Sequence, residues 1–503
     1  MRELGIFTDG TICAPATIPG TGAISIIRVS GEDSLAIADK VIDVKGESLL
    51  ETEGYRLRYG TIFAEDGSVL DNVIVSVFRA PHSYTGENSV EISCHASRFI
   101  VNAVLELLVN AGARIAAPGE FTRRAFVNGK MDLAQAEAVA DVIASQSAAA
   151  HRVAMNQLKG GFSSELKTLR EKLLTMTSLL ELELDFSEED VEFASRSELG
   201  ALVNEALAHI GRLTDSFSRG NAIKNGVPVA IVGATNTGKS TLLNALLGEE
   251  RAIVSDIAGT TRDTIEETLN LGGVMFRFID TAGIRETDEL VEKIGIERTF
   301  RKLNEASIVL GMTDLSRGED TVLSDAEYIW DKVNASSSDR EFVLLVNKCD
   351  VNVIESLEAG SEAGYEVGYA GVGSGAGYAD KAGKMARIEA ALREKGIVTK
   401  MIPISAKTGS GLPELTEALA EIGRRITGDT DETLVTNIRH YEALSHAATA
   451  LGRVRDGLKV ATLPPDLIAQ DLREALYHLG EIVGEISTDE VLGNIFRKFC
   501  IGK

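Results

Sequence analysis

Short alternating runs of apolar and polar residues dominate the first 128 residues of the chain. Turns containing Gly or Pro separate these runs, and a period of two predicts half-buried β-strands. A longer apolar pattern from about Ser97 to Asn110 predicts a helix. The predicted strands are residues 23–29, 55–63, 73–78 and 89–93. Residues 1–128 are therefore predicted to form one α+β domain.

From about residue 130 the apolar residues recur at spacings of three and four, the pattern of one face of an α-helix. The Gly160-Gly161 pair separates a first helix from a second, and the acidic stretch Ser187–Glu192 is predicted to be a solvated loop. Helical patterns return over Ile438–Val460 and Pro465–Val483. The two apolar stripes are Leu166, Leu169, Leu173, Met176, Leu180 and Leu184, and Leu199, Val203, Ala206, Ile210, Leu213 and Phe217.

Strand and helix patterns alternate between the two helical regions, from about residue 227 to residue 426. Such alternation is typical of a mostly parallel sheet with helices on its faces. The ends of an inserted domain usually lie close together. We therefore predict one helical domain, residues 129–222 and 429–503, interrupted by an α/β domain over residues 223–428.

The composition is that of an ordinary globular chain, with 44% hydrophobic and 25% charged residues. A glycine-rich stretch from Gly360 to Gly383 is predicted to be a flexible surface insertion, because glycine loses much backbone entropy on ordering. No run of about 18 uncharged apolar residues predicts a membrane span, and the N-terminal residues lack the apolar core of a secretory signal. Four dispersed cysteines form neither a disulfide framework nor a zinc motif, so we expect a cytoplasmic location.

The clearest chemical signal is a glycine-rich turn between a predicted strand, Val227–Val232, and a predicted helix, Thr241–Leu247. Its sequence, Gly233-Ala-Thr-Asn-Thr-Gly-Lys-Ser240, is the G-x-x-x-x-G-K-S pattern of a phosphate-binding loop. Glycines let backbone N–H groups turn toward phosphate oxygens, and the helix N-terminus adds partial positive charge. Lys239 is placed to reach the β- and γ-phosphates, and Ser240 to offer its hydroxyl to Mg²⁺. An ordinary glycine turn before a helix is the alternative.

Three further polar clusters follow predicted strands of the same domain, in the order expected for a GTPase. Asp280-Thr-Ala-Gly283 supplies a carboxylate near the metal and a backbone N–H near the γ-phosphate, and Thr261 in the preceding loop is placed to complete the Mg²⁺ shell. Asn347-Lys-Cys-Asp350 and Ser405-Ala-Lys407 follow the next two strands. The Asp350 carboxylate can accept hydrogen bonds from guanine N1–H and the 2-amino group, a donor pair that adenine lacks. The clusters predict a guanine-nucleotide site and resemble the translation-factor-related branch of small GTPase domains.

The residue that positions the attacking water is not evident from these motifs. Ras-like domains use a Gln directly after the D-x-x-G motif, but Ile284 occupies that position and cannot polarise water. Asn236 is a candidate ligand for a monovalent cation at the phosphates, and Glu292 is a candidate for positioning the water. From the residues alone, a solvent-facing Asn and an ordinary surface carboxylate are the alternative interpretations.

Beyond the nucleotide motifs, the sequence resembles the MnmE (TrmE) family of tRNA-modification GTPases over nearly its whole length. The motifs are Thr85–Glu91 (TGENSVE), Pro118–Lys130 (PGEFTRRAFVNGK) with Met131–Ala138 (MDLAQAEA), and Phe499–Lys503 (FCIGK). The resemblance implies a multidomain α/β plus α fold. Its parts are an α+β tetrahydrofolate-binding and dimerisation domain, a helical domain, and an inserted Ras-like P-loop GTPase domain with a mostly parallel sheet.

The resemblance also implies an activity, cofactors and partners. Members are GTP hydrolases that install an aminomethyl or carboxymethylaminomethyl group on C5 of the wobble uridine of certain tRNAs. GTP or GDP, Mg²⁺ and K⁺ are expected in the GTPase domain, which potassium and dimerisation activate. A tetrahydrofolate derivative, 5-formyl or 5,10-methylene, supplies the one-carbon unit. An FAD-binding protein of the MnmG/GidA family is expected to join the homodimer in a heterotetramer, with tRNA as substrate and neither DNA nor membrane as partner.

The family motifs assign these roles to particular residues. The implied folate contacts are Arg28, Glu91, Lys130 and Lys503, which would otherwise be interpreted as surface charges. The implied K⁺ ligands are Asn236, Ser255, Ile257 and Thr260, the Mg²⁺ ligands are Ser240 and Thr261, and the catalytic candidates are Glu292, Asn236 and Cys500. The implied nucleotide contacts are Asn236, Thr237, Gly238, Lys239, Ser240, Thr241, Ser255, Asp256, Ile257, Ala258, Gly259, Thr260, Thr261, Asp280, Thr281, Ala282, Gly283, Asn347, Lys348, Asp350, Ser405, Ala406 and Lys407.

One rival class stays open, a ribosome-assembly GTPase switch without RNA-modifying chemistry, which would carry similar nucleotide motifs. The first 128 residues and the Lys503 terminus favour the modifying enzyme, because a switch does not need them. The charge balance bears on the RNA partner: 51 basic and 75 acidic residues give a formal charge of -24. Since tRNA affinity is largely electrostatic, the FAD partner is expected to supply most of the phosphate contacts.

Overall fold

The computed structural model describes residues 10–185, 196–251, 267–279, 305–334, 340–350, 376–397, 399–428, 432–460, 464–486, 489–497, 499 and 502. These residues form two compact units. The first comprises the described residues up to Ala144, Ala154–Asp215, and those from Ile438 onward; the second comprises the described residues of Ser145–Val153 and Ser216–Asn437. Across these ranges no helix combines the length and the apolar character needed to cross a membrane.

Strands and helices alternate at the start of the chain and again in its middle. The strands are β1 Ile12–Pro15, β2 Ile24–Ser30, β3 Ile42–Val44, β4 Arg56–Phe63, β5 Val69–Phe78, β6 Ser89–His95, β7 Arg114–Ile115, β8 Val227–Gly233, β9 Glu267–Leu271, β10 Val274–Ile279, β11 Ile308–Asp314, β12 Glu341–Asn347 and β13 Lys400–Pro403. The helices are α1 Ser34–Val41, α2 Arg98–Asn110, α3 Glu120–Val127, α4 Leu133–Ala144, α5 Ala148–Leu158, α6 Gly161–Asp185, α7 Arg196–Asp215, α8 Phe217–Asn225, α9 Lys239–Arg251, α10 Glu319–Asn334, α11 Ala376–Glu394, α12 Leu412–Thr427, α13 Ile438–Leu458, α14 Pro465–Val483 and α15 Asp489–Phe496.

A seven-stranded sheet in the order β3-β4-β5-β6-β2-β1-β7 forms the core of the first unit's N-terminal part. Its neighbouring strands are antiparallel except β1 and β7, which are parallel. In β5 the buried Val73, Val75 and Val77 alternate with outward-facing Ile74 and Ser76, so one face of the sheet is apolar and covered. Helices α1 and α2 pack against that face. The predicted α+β character of this region is confirmed.

Helices from distant parts of the chain pack together in the same unit. Helix α13 packs against α7 and α14, and α14 packs against α6. The predicted apolar stripes are confirmed, since Leu166 and Leu173 of α6 and Val203 and Ile210 of α7 are buried. Phe217, the last residue of the second stripe, instead begins α8. The predicted acidic loop at residues 187–192 lies outside the described residues.

The second unit contains a six-stranded sheet in the order β13-β12-β11-β8-β10-β9, in which only β9 and β10 pair antiparallel. Its central strands are buried on both sides, as nearly continuous apolar runs require. Val229 and Ile231 of β8 face a core shared with α9 and α12, whereas Ala230 and Val232 face a core shared with α10 and α11. The predicted mostly parallel sheet is confirmed.

The glycine-rich stretch is shorter than the sequence pattern predicted. Helix α11 begins at Ala376, so residues 376–383 are helical and not part of a loop. Alanines at positions 376, 379 and 382 interrupt the glycines, and alanine has the highest helix propensity. The earlier part of the stretch, residues 360–375, lies outside the described residues.

Candidate functional site

Polar segments follow neighbouring strands of the second unit's sheet and therefore meet along one edge. In the strand register, Gly233 at the end of β8 lies beside Met312 of β11, and Asp314 at the end of β11 lies beside Asn347 of β12. Strand β13, which ends at Pro403, follows on the other side of β12. Ligands of parallel sheets bind beyond this carboxyl edge.

The phosphate loop runs from β8 into the N-terminus of α9. Asn236 and Gly238 have φ angles of 61° and 100°, both in the left-handed region, which turns the chain tightly. The Lys239 ammonium folds back over the loop and donates to the backbone oxygens of Gly233 at 3.0 Å and Ala234 at 2.8 Å. Burial lowers the pKa of Lys239. The loop thus holds a partly buried cation at the start of a helix, which is suited to an anionic ligand.

Asn347 connects three of the predicted motifs. Its side-chain N–H group donates to the backbone oxygen of Thr237 at 2.7 Å, and its side-chain oxygen accepts from the backbone N–H of Ala406 at 3.0 Å. Asn347 and Thr237 are buried, and the Thr237 hydroxyl donates to the Ala234 oxygen at 2.9 Å. Sequence reasoning placed Asn347 among the nucleotide contacts but missed this bridging role, which depends on chain segments far apart in sequence.

The residues of the two segments predicted to contact the guanine base, Asn347–Asp350 and Ser405–Lys407, differ in burial. Ser405 is buried, and its N–H donates to the Ser410 oxygen at 2.8 Å, closing the turn before α12. Gly411, with a φ of 79°, ends that turn against the backbone of Pro403. Asp350 and Lys407 are exposed beyond the strand ends. Their side chains are therefore accessible from the edge where the nucleotide is predicted.

The candidate folate residues Arg28 and Glu91 lie in the N-terminal sheet, directly opposite each other on β2 and β6. Arg28 donates from Nε to a Glu91 carboxylate oxygen at 2.9 Å. The guanidinium also lies 5.1 Å from the ring centre of Tyr84 and 5.6 Å from that of Phe121. The pair is a charged contact on the face of the sheet opposite α1 and α2, with the partly exposed Tyr84 and the buried Phe121 beside the guanidinium.

The TGENSVE and PGEFTRRAFVNGK motifs contact each other in the same domain. The Arg124 guanidinium donates to the Glu87 carboxylate at 3.0 Å, and the Asn128 side-chain N–H group donates to the backbone oxygen of Thr85 at 2.8 Å. Lys130 donates to the Pro81 oxygen at 3.0 Å, at the start of the loop that precedes the first motif. These contacts hold the loop before β6 against α3 and the turn that follows α3.

Glu120, which sequence reasoning did not single out, anchors α3 to the rest of the domain. Its side chain is only 1% exposed and accepts hydrogen bonds from Arg114 at 2.8 Å, Arg124 at 3.2 Å and the Ala117 N–H at 2.9 Å. Burial favours the neutral acid, but these donors outweigh it and lower the pKa of Glu120 to about 2. The only sequence signal for it is an acidic residue in the first turn of a helix.

The C-terminal motif packs against the N-terminal domain. Gly119 lies against the backbone of Phe496 and the side chain of Phe499, and Gly502 lies against the backbone of Pro15 and Ala16. In both cases a Cβ on the glycine would collide with backbone atoms of the other segment. Gly502 therefore lies beside the end of β1, and Phe499 beside the residue that precedes α3.

Comparison with known proteins identifies the family. The profile of the MnmE helical domain matches residues 133–500, and that of the GTP-binding protein TrmE N-terminus matches residues 11–130. A tRNA modification GTPase MnmE of Parabacteroides distasonis is 50% identical over 498 residues, covering 98% of this chain and 100% of the relative. That of Bacteroides fragilis is 50% identical over 496 residues (98% and 99%), and that of Porphyromonas gingivalis 47% over 508 residues (100% and 100%). The chain belongs to the MnmE family of tRNA modification GTPases.

Membership of the MnmE family implies binding of GTP and GDP, a GTPase role and an involvement with tRNA. The described residues of the nucleotide motifs lie at the strand ends of the second unit and at the start of α9, where Ser240 and Thr241 follow Lys239. The remaining predicted residues lie outside the described part of the chain. They are Ser255, Asp256, Ile257, Ala258, Gly259, Thr260, Thr261, Asp280, Thr281, Ala282, Gly283, Glu292, Cys500 and Lys503.

Proposed function

We propose that this MnmE-family protein hydrolyses GTP in order to modify C5 of the wobble uridine of certain tRNAs. It acts with an FAD-binding partner of the MnmG/GidA family and takes a one-carbon unit from a tetrahydrofolate derivative. The observation that carries the proposal is the meeting of three motifs in one unit: residues 85–91, residues 118–130 and the C-terminal Phe499 and Gly502. A GTPase that acts only as a switch does not need this set of polar motif residues in addition to its nucleotide site.

The geometry of the phosphate loop supports its proposed role in binding GTP. A Cβ at Gly233 would collide with the backbone oxygen of Met312 and one at Gly238 with the side chain of Asn347, so glycine lets the loop pack closely against the ends of β11 and β12. Lys239 is proposed to exchange its two backbone acceptors for β- and γ-phosphate oxygens, and Asp350 to recognise guanine. The hydroxyls of Ser240 and Thr261 are the proposed Mg²⁺ ligands.

A potassium ion is proposed to take the place of an arginine finger at the phosphates. Asn236 is an exposed residue with left-handed backbone in the turn, and an amide side chain can offer its oxygen to a cation. Ser255, Ile257 and Thr260 are proposed to complete the coordination, and Glu292 to position the water. A cation there would supply the positive charge that an arginine supplies in other GTPases.

The donor set around Arg28 and Glu91 suits a pterin. The Glu91 carboxylate can accept hydrogen bonds from ring N–H donors, and the partly exposed Tyr84 beside Arg28 offers an aromatic ring for contact with a pterin. Lys130 and Lys503 are proposed to meet polar and glutamate oxygens of the folate. Cys500, one residue after Phe499, is the proposed catalytic thiol.

A homodimer is proposed to form through the outer face of the N-terminal sheet. Leu57 and Tyr59 of β4 and Ile74 of β5 are 66%, 50% and 49% exposed on that face. Contiguous exposed apolar side chains of this kind mark interaction surfaces. Through the register of β4, β5, β6 and β2, Leu57 shares its face with Glu91 and Arg28, so dimerisation would border the proposed folate site.

Binding of 5-formyltetrahydrofolate to the full-length chain tests the proposal. We expect the wild type to bind and Glu91→Gln to bind at least about tenfold more weakly, since a charged acceptor is lost. Glu53→Gln, which changes an exposed glutamate, is the matched control and should bind as the wild type. GTP hydrolysis should be the same in all three proteins.

Mass analysis of wobble uridines in cells lacking the protein separates the modifying enzyme from the switch. Loss of the C5 substituent is expected. If the wobble uridines of these cells are normal and the wild-type chain does not bind folate, the protein is a GTPase switch and not a modifying enzyme.

A further inference from the structure

The Lys348 side chain of the Asn347–Asp350 motif is held by a carboxylate that lies outside the motif. Its Nζ is 2.6 Å from Oδ2 of Asp314, the last residue of β11. Lys348 has a φ of 63°, which is uncommon for a residue with a side chain and ends the regular alternation of β12. Backbone and side chain of Lys348 are therefore both constrained where β11 and β12 end together.

Asp314 is fixed independently of Lys348. Its Oδ1 accepts from the Ser316 N–H at 2.9 Å and from the Ser316 hydroxyl at 2.5 Å, and its side chain is 4% exposed. Burial by itself raises the pKa of Asp314, but the hydrogen bonds from Lys348 and Ser316 outweigh burial, and the pKa lies below its usual value. The carboxylate is thus charged and anchored at neutral pH.

Helix capping accounts for the contacts of only one of the two carboxylate oxygens of Asp314. Oδ1 caps the short 3-10 helix Leu315–Arg317, a role that an uncharged Asn or Ser would also perform. Oδ2 contacts Lys348, and burying an ionised group is costly without such a partner. Strand β11 lies between β8, which leads into the phosphate loop, and β12, which leads into the base motif. The pair therefore lies where the two halves of a nucleotide site join.

We propose that Asp314 is a positioning residue for the guanine nucleotide, because it holds the Lys348 side chain at the nucleoside end of the site before the nucleotide arrives. A lysine side chain loses considerable rotamer entropy when a ligand orders it. A fixed carboxylate that orders the side chain beforehand removes this cost from binding. The proposal rests on the GTPase role of the family and is independent of folate and tRNA.

Asp314→Asn tests the proposal, since the Asn oxygen can still accept from Ser316 while the charged contact to Lys348 is lost. We expect the KM for GTP and the Kd for GDP to rise about tenfold, with kcat within about twofold of the wild type, because ground state and transition state lose the same contact. Asp320→Asn, an exposed position in the first turn of α10, is the matched control and should behave as the wild type.

A double-mutant cycle distinguishes positioning from a general loss of structure. If Asp314 acts through Lys348, Asp314→Asn has no further effect on KM or Kd in a Lys348→Met background. The proposal would be overturned if Asp314→Asn raised KM and Kd equally in the wild-type and Lys348→Met backgrounds. It would also be overturned if the KM and Kd of Asp314→Asn lay within about twofold of the wild type. If Asp314→Asn fails to fold, Lys348→Met replaces it as the test, because it leaves the Asp314 cap of the 3-10 helix intact. A wild-type KM for Lys348→Met would also overturn the proposal.

Discussion

Gly238 is important because it has no side chain. Its φ is 100°, and a Cβ there would collide with the side-chain nitrogen of Asn347, which ties the phosphate loop to β12. We expect Gly238→Ala to weaken GDP binding by about tenfold or more, because both the backbone angle and the Asn347 bridge are disturbed. Titration with fluorescent GDP measures this. Gly248→Ala, at an open position on α9, is the control and should keep wild-type affinity.

Glu137 belongs to a buried charge cluster that connects four helices of the first unit. Its carboxylate on α4 accepts from Arg439 at 3.0 and 3.1 Å and lies 2.6 Å from Nε2 of His440, both at the start of α13. Arg439 also donates to the backbone oxygen of Ile482 on α14 at 3.0 Å, and His440 stacks on Phe162 of α6. Burial favours the neutral acid, but His440 and Arg439 outweigh it and lower the pKa of Glu137 to about 2.

Removal of this carboxylate should destabilise the helical region. Glu137→Gln leaves a largely buried guanidinium without its counter-charge, and we expect the free energy of unfolding to fall by about 3 kcal/mol or more. Urea denaturation followed by circular dichroism measures the change. Glu181→Gln, which affects the exposed pair with Arg473, is the matched control and should cost less than about 1 kcal/mol. Equal effects of the two substitutions would contradict the role of burial.

The contribution of Glu137 should also depend on pH. Its folded-state pKa of about 2 lies below the unfolded value of about 4.3, so the unfolded chain takes up the proton first. The stabilisation is therefore complete above the unfolded pKa and is lost as the pH falls through the folded pKa. We expect the difference in unfolding free energy between wild type and Glu137→Gln to shrink from pH 5 toward pH 2. A difference that stays constant over this interval would be inconsistent with a lowered pKa.

The exposed apolar face of the N-terminal sheet makes a prediction about assembly. If Leu57, Tyr59 and Ile74 are covered by a second copy, Tyr59→Glu should shift the chain to monomer, since it buries a charge in an apolar contact. Sedimentation velocity measures the mass. Leu467→Glu, at an apolar position of similar exposure on α14, is the control and should leave the dimer intact. A dimeric Tyr59→Glu protein would require a different interface.

The net charge of -24 makes a prediction about tRNA binding. Phosphate contacts by basic residues give binding a steep dependence on salt. We expect this chain alone to bind tRNA weakly and with a shallow salt slope, and its complex with the FAD-binding partner to bind tightly and with a steep one. Filter binding over a range of KCl concentrations tests this. Equal affinities and slopes for the two samples would mean that this chain supplies its own basic surface.

Local sequence patterns were sufficient to predict several of the strands and helices and the position of the phosphate-binding motif. The G-x-x-x-x-G-K-S turn between β8 and α9 depends on backbone angles and spacing within a few residues, and the stripes of α6 and α7 follow from helix periodicity. The start of α11 was missed for a related reason, because glycine content alone does not predict where alanines restore a helix.

The contacts between motifs were decided only by the tertiary structure. Asn347 and Thr237 are 110 residues apart, Arg28 and Glu91 are 63 apart, and Glu137 and Arg439 are 302 apart. Which side chains meet at such separations depends on strand order, register and helix packing, and these arise from the burial of the whole apolar core. The sequence by itself thus determined which chemical groups the protein carries and on which elements, whereas the fold decided which of them touch.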